Sequence, residues 1–231
     1  MKWASCWSRV SYNGKHNGAN GENNNDGTND NFSWNCGAEG TTGDGGVLHL
    51  RQRQMRNVMM ALMLSQGVPM MVMGDEIQKT HGGNNNWYGH DSKMTQMDWS
   101  TLEDPTSPQA GFHRFCSELL KFRSGHPALG TETFPGNGDI VWHESNWDDP
   151  ESRFLAFTIT GKGEPDIYAA FNAHHFEVKV SLPPPPSGHK WCRVVDTNLA
   201  SPKDFTPGGN GGVDPAYGVQ AFSSVLLIAK K

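Results

Sequence analysis

Apolar residues recur with helical spacing between positions 51 and 65. Five of them stand at i, i+3, i+4, i+7 and i+8, which places them along one helix face. Such a methionine-rich face either packs on a core or serves as a binding surface. The apolar positions are Met55, Val58, Met59, Leu62 and Met63, and the polar ones include Arg51, Arg53 and Arg56. The pattern predicts an amphipathic helix over residues 51–65.

A second apolar run, residues 68–73, follows the turn at Gln66 and Gly67. The run is continuous instead of alternating, which is typical of a strand covered on both faces. Another helix is predicted over residues 109–124, because its apolar residues again share one face and Gly125 follows. These elements predict an α/β arrangement in the first part of the chain.

Beyond Pro135 the pattern changes to short alternating runs separated by glycine, proline and asparagine. Such spacing predicts an antiparallel all-β domain, a sandwich. Pro183 to Pro186 are interpreted as a tight connection between strands. The predicted strands are residues 139–143, 153–160, 166–172, 176–182, 190–196 and 223–229.

Residues 12–46 form a long segment rich in asparagine, glycine and aspartate. With so few aliphatic side chains it cannot build a regular element alone, so it is either a disordered linker or an ordered loop. Phe32 and Trp34 favour a loop that packs on something.

Composition excludes several classes of function. The net charge of −5 and the lack of any Lys/Arg run argue against nucleic-acid binding. The most apolar window, residues 58–73, is too interrupted to span a membrane, and residues 1–9 lack the apolar core of a secretory signal. The cysteines show no zinc-site or disulfide-framework spacing, which favours a reducing compartment; they are Cys6, Cys36, Cys116 and Cys192.

Two short segments carry candidate chemistry. Asp75 and Glu76 follow the predicted strand, where barrel enzymes place their sites, so they contact a ligand or support a loop; alternatively they form a helix cap or an ion pair. Further on, three amides precede two flat aromatic rings, a combination that suits a sugar, although an Asn/Gly turn would look similar. These residues are Asn84, Asn85, Asn86, Trp87 and Tyr88.

No nucleophile, metal site or cofactor site is predicted. His90 and Asp91 are neighbours in sequence and point in different directions, and no Gly-x-Ser-x-Gly motif or reactive-cysteine context completes a triad. The ten histidines show no metal-ligand spacing.

Several motifs resemble one family. Residues 11–40 strongly resemble the loop after the seventh barrel strand of isoamylase-type glycogen and starch debranching enzymes. The resemblance covers residues 10–128 well and the β domain more loosely. Its other motifs are residues 51–57, 66–69, 73–76 and 82–86, with Tyr88 and Asp91.

The resemblance implies a (β/α)8 TIM barrel followed by a β-sandwich, and hydrolysis of α-1,6 branch linkages with retention of configuration. We therefore assign residues 1–132 to the C-terminal part of the barrel, from the loop after strand 7 through helix 8, and residues 133–231 to the antiparallel β-sandwich. Retaining hydrolysis needs two carboxyl groups about 5 Å apart. The family carries them upstream of the segment that begins at Ser11, and residues 5–9 depart from its His-Asp motif. No catalytic residue is therefore expected in this chain. The chain by itself is expected to be inactive.

What carries over is substrate contact, with α-glucan (amylopectin, glycogen or their oligosaccharides) as the expected partner. The expected contacts are Asn84, Asn85, Asn86, Tyr88 and Asp91, with Asp75 and Glu76 shaping the site. A non-catalytic glucan-binding or assembly subunit, in a homo- or hetero-oligomer, is the alternative, and an incomplete gene product is a third. The expected compartment is a plastid for a plant or algal source, and the cytoplasm otherwise.

Overall fold

The computed structural model describes residues 6–143 and 148–231. They form two compact units: the first comprises the described residues up to Val58 and Met70–Cys116, and the second comprises Met59–Pro69 and Ser117–Lys231. The domain boundary after residue 132 rests on the family resemblance, which assigns barrel and sandwich, and it stays a prediction. Residues 5–9 are the segment that departs from the family's His-Asp motif, and Ser5 of this segment lies outside the described residues.

The first long helix forms as predicted but begins earlier. After a short helix α1 (Cys6–Arg9), helix α2 spans Gly45–Leu64. Asp44 explains the early start, since its Oδ1 accepts from the backbone N–H groups of Gly46 at 2.8 Å and Val47 at 3.1 Å. An N-cap of this kind offsets the poor helix propensity of the two glycines at the start.

The second long helix confirms its prediction. Helix α3 spans Pro108–Ser124, and the Ser107 Oγ accepts from the Ala110 N–H at 3.0 Å. Gly125 ends it, with its N–H donating to the Lys121 and Phe122 carbonyls. Within the described residues, no helix has the length and apolar character needed to cross a bilayer.

The predicted buried strand at residues 68–73 is wrong. This segment has no strand assignment, and Val68 is 95% exposed. A strand buried on both faces needs hydrogen-bonded neighbours, and the strand pairs among the described residues are antiparallel pairs of the β region. The assignment of residues 1–132 to a barrel therefore rests on the resemblance and not on strands seen here.

The β region is an antiparallel sandwich of a six-stranded and a two-stranded sheet. The large sheet has the order β1-β2-β3-β8-β5-β6, and β4 pairs with β7. The strands are β1 (Ile140–Trp142), β2 (Phe154–Ile159), β3 (Ile167–Asn172), β4 (Val178–Ser181), β5 (Lys190–Asp196), β6 (Phe205–Gly212), β7 (Ala216–Val219) and β8 (Ser223–Lys230). All six predicted strands are confirmed, with ends that differ by a residue or two.

Strands β6 and β7 have no counterpart in the sequence-based prediction. Strand β6 contains four glycines and a proline, residues that are depleted in strands. It forms at the sheet edge against β5, with register shifts on either side of Arg193. The core lies between the two sheets, where Tyr168, Trp191 and Leu227 pack with Val219 of the small sheet.

Candidate functional site

The long loop of residues 12–46 is tied to the segment 84–86 by side-chain amides. We call this set the asparagine network: Asn17, Asn20, Asn24, Asp26, Asn31, Asn84, Asn85 and Asn86. All its members belong to the first compact unit. The composition leaves open whether residues 12–46 are a disordered linker or an ordered loop. The structure has an ordered loop, and hydrogen bonds hold this segment that is poor in apolar residues.

Asn17 and Asn85 form the centre of the network. The Asn17 Nδ2 donates to the Asn85 Oδ1 at 2.9 Å, and the Asn85 backbone N–H donates to the Asn17 Oδ1 at 3.0 Å. The Asn85 amide also donates to the Thr28 carbonyl at 2.9 Å and to the Asn31 Oδ1 at 2.7 Å. Both central residues are buried. Reciprocal pairing satisfies polar groups that would otherwise be costly to bury.

Asp26 forms the second centre. Its Oδ2 accepts from the Asn20 Nδ2 at 2.6 Å and the Asn86 Nδ2 at 2.8 Å. The hydrogen bond from Asn86, followed by the one from Asn20, lowers the pKa of this carboxyl group. Asn84 closes the ring, since its amide donates to the Asn20 Oδ1 at 2.5 Å.

The network uses the side chains of all three predicted asparagines. Asn85 engages its carbonyl oxygen and both amide hydrogens within the chain. Asn84 is buried and Asn86 is partly buried. The structure thus brings Asn84, Asn85 and Asn86 together as the framework of two loops, and their direct contact with a ligand stays a prediction.

Tyr88 and Asp91 lie beyond this framework and face solvent. The Tyr88 side chain is 92% exposed, and Asp91 is also exposed. In the sequence, Trp87 follows the last residue of the network and precedes Tyr88. Its ring stacks on His81 with 4.1 Å between ring centroids. Burial, reinforced by Lys79, lowers the pKa of His81 to about 4, so this ring is neutral at physiological pH.

Asp75 and Glu76 lie on a 3₁₀ turn (Asp75–Ile77) and bind backbone groups. The Asp75 carboxylate accepts from the Cys6 N–H at 2.7 Å and the Val72 N–H at 3.1 Å, and Glu76 accepts from the Gly74 N–H at 2.9 Å. Burial raises the pKa of Asp75. Both carboxylates therefore hold local backbone, and their predicted influence on a binding site stays a prediction.

Arg51 is a buried residue that the sequence pattern placed among the polar positions. It is fully buried, and its guanidinium donates to three carbonyls of the long loop, those of Asn35, Ala38 and Gly40, the last at 2.7 Å. A planar fork of five donors suits several acceptors at once. Helical periodicity could not reveal it, because the acceptors are backbone atoms.

Glu39 is another anchor that sequence reasoning missed. It accepts from the Asn13 N–H at 2.8 Å and the Asn35 amide at 3.1 Å, and lies 2.8 Å from the His16 Nε2. Burial raises its pKa, but the hydrogen bonds from Asn13, His16, Asn35 and the Gly14 N–H outweigh this and lower it to about 2.

Glu39→Gln is expected to remove an acid-dependent part of the loop's stability. A carboxyl whose pKa falls from 4.5 to about 2 on folding stabilises the fold above pH 4.5, and this contribution disappears as the pH falls towards 2. Hydrogen exchange in residues 12–46 should therefore be faster in the variant at pH 7, with the difference vanishing near pH 2. The exposed Glu22→Gln is the control; an equal effect there would contradict the assignment.

A groove of about 910 Å³ lies in the second unit, walled by Trp142, Phe157 and Phe171. Its described lining contains none of the predicted site residues. This groove therefore does not coincide with the candidate site, which rests on the paired loops of the first unit.

The fold occurs in bacterial pullulanases. The chain matches pullulanase from Bacillus acidopullulyticus with a TM-score of 0.63 and 22% identity, over 81% of this chain and 21% of that one. Pullulanase from Anoxybacillus sp. LM18-11, in complex with maltotetraose, gives a TM-score of 0.60 and 17% identity, over 80% of this chain and 24% of that one. The shared architecture is thus that of one portion of a much longer type of protein.

Sequence comparison gives the family. A family model described as "Isoamylase 1-3, C-terminal" matches residues 140–220. Isoamylase 3, chloroplastic, of Oryza sativa subsp. japonica is 52% identical over 222 residues, which are 96% of this chain and 28% of that protein. Isoamylase 1, chloroplastic, of Arabidopsis thaliana is 48% identical over 204 residues, with shares of 86% and 25%.

The chain belongs to the isoamylase-type debranching-enzyme family and corresponds to the C-terminal portion of its members. It spans about a quarter of the length of the relatives it matches. The family resemblance of the sequence motifs is confirmed.

Proposed function

We propose that the chain is the substrate-contacting C-terminal part of an enzyme that hydrolyses α-1,6 branch linkages of starch or glycogen. In this proposal residues 1–132 complete a (β/α)8 barrel, and residues 133–231 are the sandwich that follows. The observation that carries it is the 52% identity to rice isoamylase 3 over nearly the whole chain.

The ligand-contacting surface is assigned to the two loops joined by the asparagine network. Asn84, Asn85 and Asn86 give it shape, and Asp75 and Glu76 fix the neighbouring backbone. Tyr88 and Asp91 supply the exposed contacts, a flat ring and a hydrogen-bond acceptor. A maltooligosaccharide offers matching groups, and the Anoxybacillus pullulanase was solved with one.

The chemistry is retaining hydrolysis by a carboxylate pair, one group acting as nucleophile and the other as general acid/base. The family resemblance assigns both groups to strands upstream of Ser11. The 231-residue chain alone then binds glucan but does not cleave it, because it has neither the leaving-group acid nor the nucleophile.

A chimera tests the proposal. Residues 10–231 replace the corresponding segment of rice isoamylase 3, and release of reducing ends from amylopectin is measured. We expect debranching by the chimera and none by the free chain or by the rice protein lacking this segment. A folded chimera without activity, or amylopectin cleavage by the free chain, would contradict the proposal.

A second candidate is a non-catalytic glucan-binding or assembly subunit, acting as a homo- or hetero-oligomer. One observation favours it: the hydrogen bonds that tie the two loops together are all made within the first unit. An inactive chimera together with retention of the free chain on amylopectin would support it. In either role we propose a plastid as the compartment, by analogy with the chloroplastic rice and Arabidopsis relatives.

A further inference from the structure

Phe32 adopts an unfavourable backbone conformation while its side chain is exposed. Its φ is +47°, a left-handed value that bulky residues rarely adopt, and its side chain is 87% exposed. Burial of the ring therefore does not offset the strain. Strained conformations of this kind persist where surrounding structure fixes them, and they cluster at ligand-contacting sites.

The residues beside Phe32 are held firmly. The Asn31 Oδ1 accepts from the Asn85 amide at 2.7 Å, the Ser33 Oγ donates to the Tyr12 carbonyl at 2.5 Å, and the Trp34 N–H donates to the Arg9 carbonyl at 2.9 Å. Backbone and side-chain bonds on both sides thus fix the backbone from which the phenyl ring projects.

One of these bonds also ties the segment that carries Phe32 to the segment that carries Tyr88. The Asn31–Asn85 hydrogen bond joins a residue adjacent to Phe32 with one three positions before Tyr88. This hydrogen bond thus joins the two segments that carry the exposed rings, one in each of the two tied loops. Their shared support is the asparagine network.

We propose that Phe32 and Tyr88 form a two-point aromatic platform for one α-glucan chain, a site that rests on the proposed glucan-binding function. A phenyl ring has no hydrogen-bonding group, so Phe32 contributes only a face on which the C–H side of a glucose ring packs. Two separated faces favour a chain long enough to cover both. Phe32 therefore sets a preference for longer glucans over short ones.

The test uses glycine at position 32, because glycine adopts a φ of +47° without strain. Phe32→Gly removes the ring and preserves the loop path, and Phe32→Trp restores a flat face. Phe134→Gly is the matched control, since Phe134 is 93% exposed in the second unit. Binding of maltoheptaose and maltotriose to the full chain is measured by titration calorimetry, and melting temperature is recorded for each variant.

We expect Phe32→Gly and Tyr88→Ala each to weaken maltoheptaose binding about tenfold, the loss typical of an aromatic contact. Maltotriose binding should change less with Phe32→Gly, so that the preference for the longer glucan falls. Phe32→Trp and Phe134→Gly should bind like the unmodified chain. A melting temperature of Phe32→Gly no lower than that of the unmodified chain would show that its loss of binding does not come from a loss of folding.

The outcomes separate this inference from the proposed function. If the unmodified chain binds neither glucan, glucan contact by this chain fails, and the platform fails with it. If the chain binds maltoheptaose, Tyr88→Ala weakens it and Phe32→Gly does not, the role of Phe32 is overturned while the proposed function stands. An equal loss for both oligosaccharides would overturn the length preference.

Discussion

Gly27→Ala is expected to disrupt the asparagine network and destabilise the first unit by about 2–4 kcal/mol. A Cβ at this position would lie 2.2 Å from the Asn85 Oδ1 and 2.6 Å from the Asn17 Nδ2, which are the paired atoms at the centre of the network. The φ of +72° adds backbone strain. Hydrogen exchange should accelerate in both tied loops, residues 12–46 and 84–91, although only one of them is altered.

Gly21→Ala separates the two effects. Gly21 has a similar φ of +79°, but a Cβ there meets no atom within 4 Å. This variant should lose only the backbone part, about 1–2 kcal/mol, and residues 84–91 should keep their protection. Equal losses in the two variants would show that contact with the amide pair does not matter.

Arg51→Met is expected to cost about 3 kcal/mol, because it removes a buried guanidinium and leaves the partly buried carbonyls of Ala38 and Gly40 without their donor. Methionine keeps the length and packing of the apolar stem, so the loss reports on the guanidinium: its hydrogen bonds and its contact with the Trp7 ring, 5.9 Å from the ring centroid. Thermal unfolding and proteolysis within residues 35–40 measure it. Arg51→Lys should rescue little, since a single ammonium cannot reproduce the fork.

Arg153→Met is the control for that substitution. Arg153 is largely exposed and lies 4.0 Å from Glu151, a surface pair that contributes little. Its replacement should change stability by less than about 0.5 kcal/mol. If Arg51→Met were equally mild, the loop would owe its position to other contacts.

Elements whose residues alternate or recur periodically could be predicted from the sequence. Helices α2 and α3 and six strands were predicted because one face of each is apolar. The prediction of a strand at residues 68–73 is wrong because it rests on apolar composition alone. A strand also requires neighbouring strands with which to form hydrogen bonds. Strand β6 was missed for the opposite reason: its partner β5 imposes pairing on a glycine-rich segment with no periodic signal.

The candidate site was predictable in composition but not in the division of roles. Amides beside aromatic rings indicate a sugar site, and the same amides are also good loop-building groups. Only the structure shows that the Asn85 amide donates both its hydrogen bonds to the long loop, while the Tyr88 side chain stays exposed. Arg51 and Glu39 could not be assigned from sequence, because their partners are mostly backbone atoms or distant residues.

The asparagine network also bears on the chemical lifetime of the protein. Asn17 and Asn20 each precede a glycine, a sequence context in which the amide is readily lost to deamidation. Loss of the Asn20 amide would replace a donor to Asp26 with a second negative charge beside it. Because the amides are engaged and Asn17 is buried, attack by the following backbone nitrogen is hindered. The folded loop thus protects the asparagine amides whose hydrogen bonds hold it together. Opening of the loop would expose these amides to deamidation, which is irreversible.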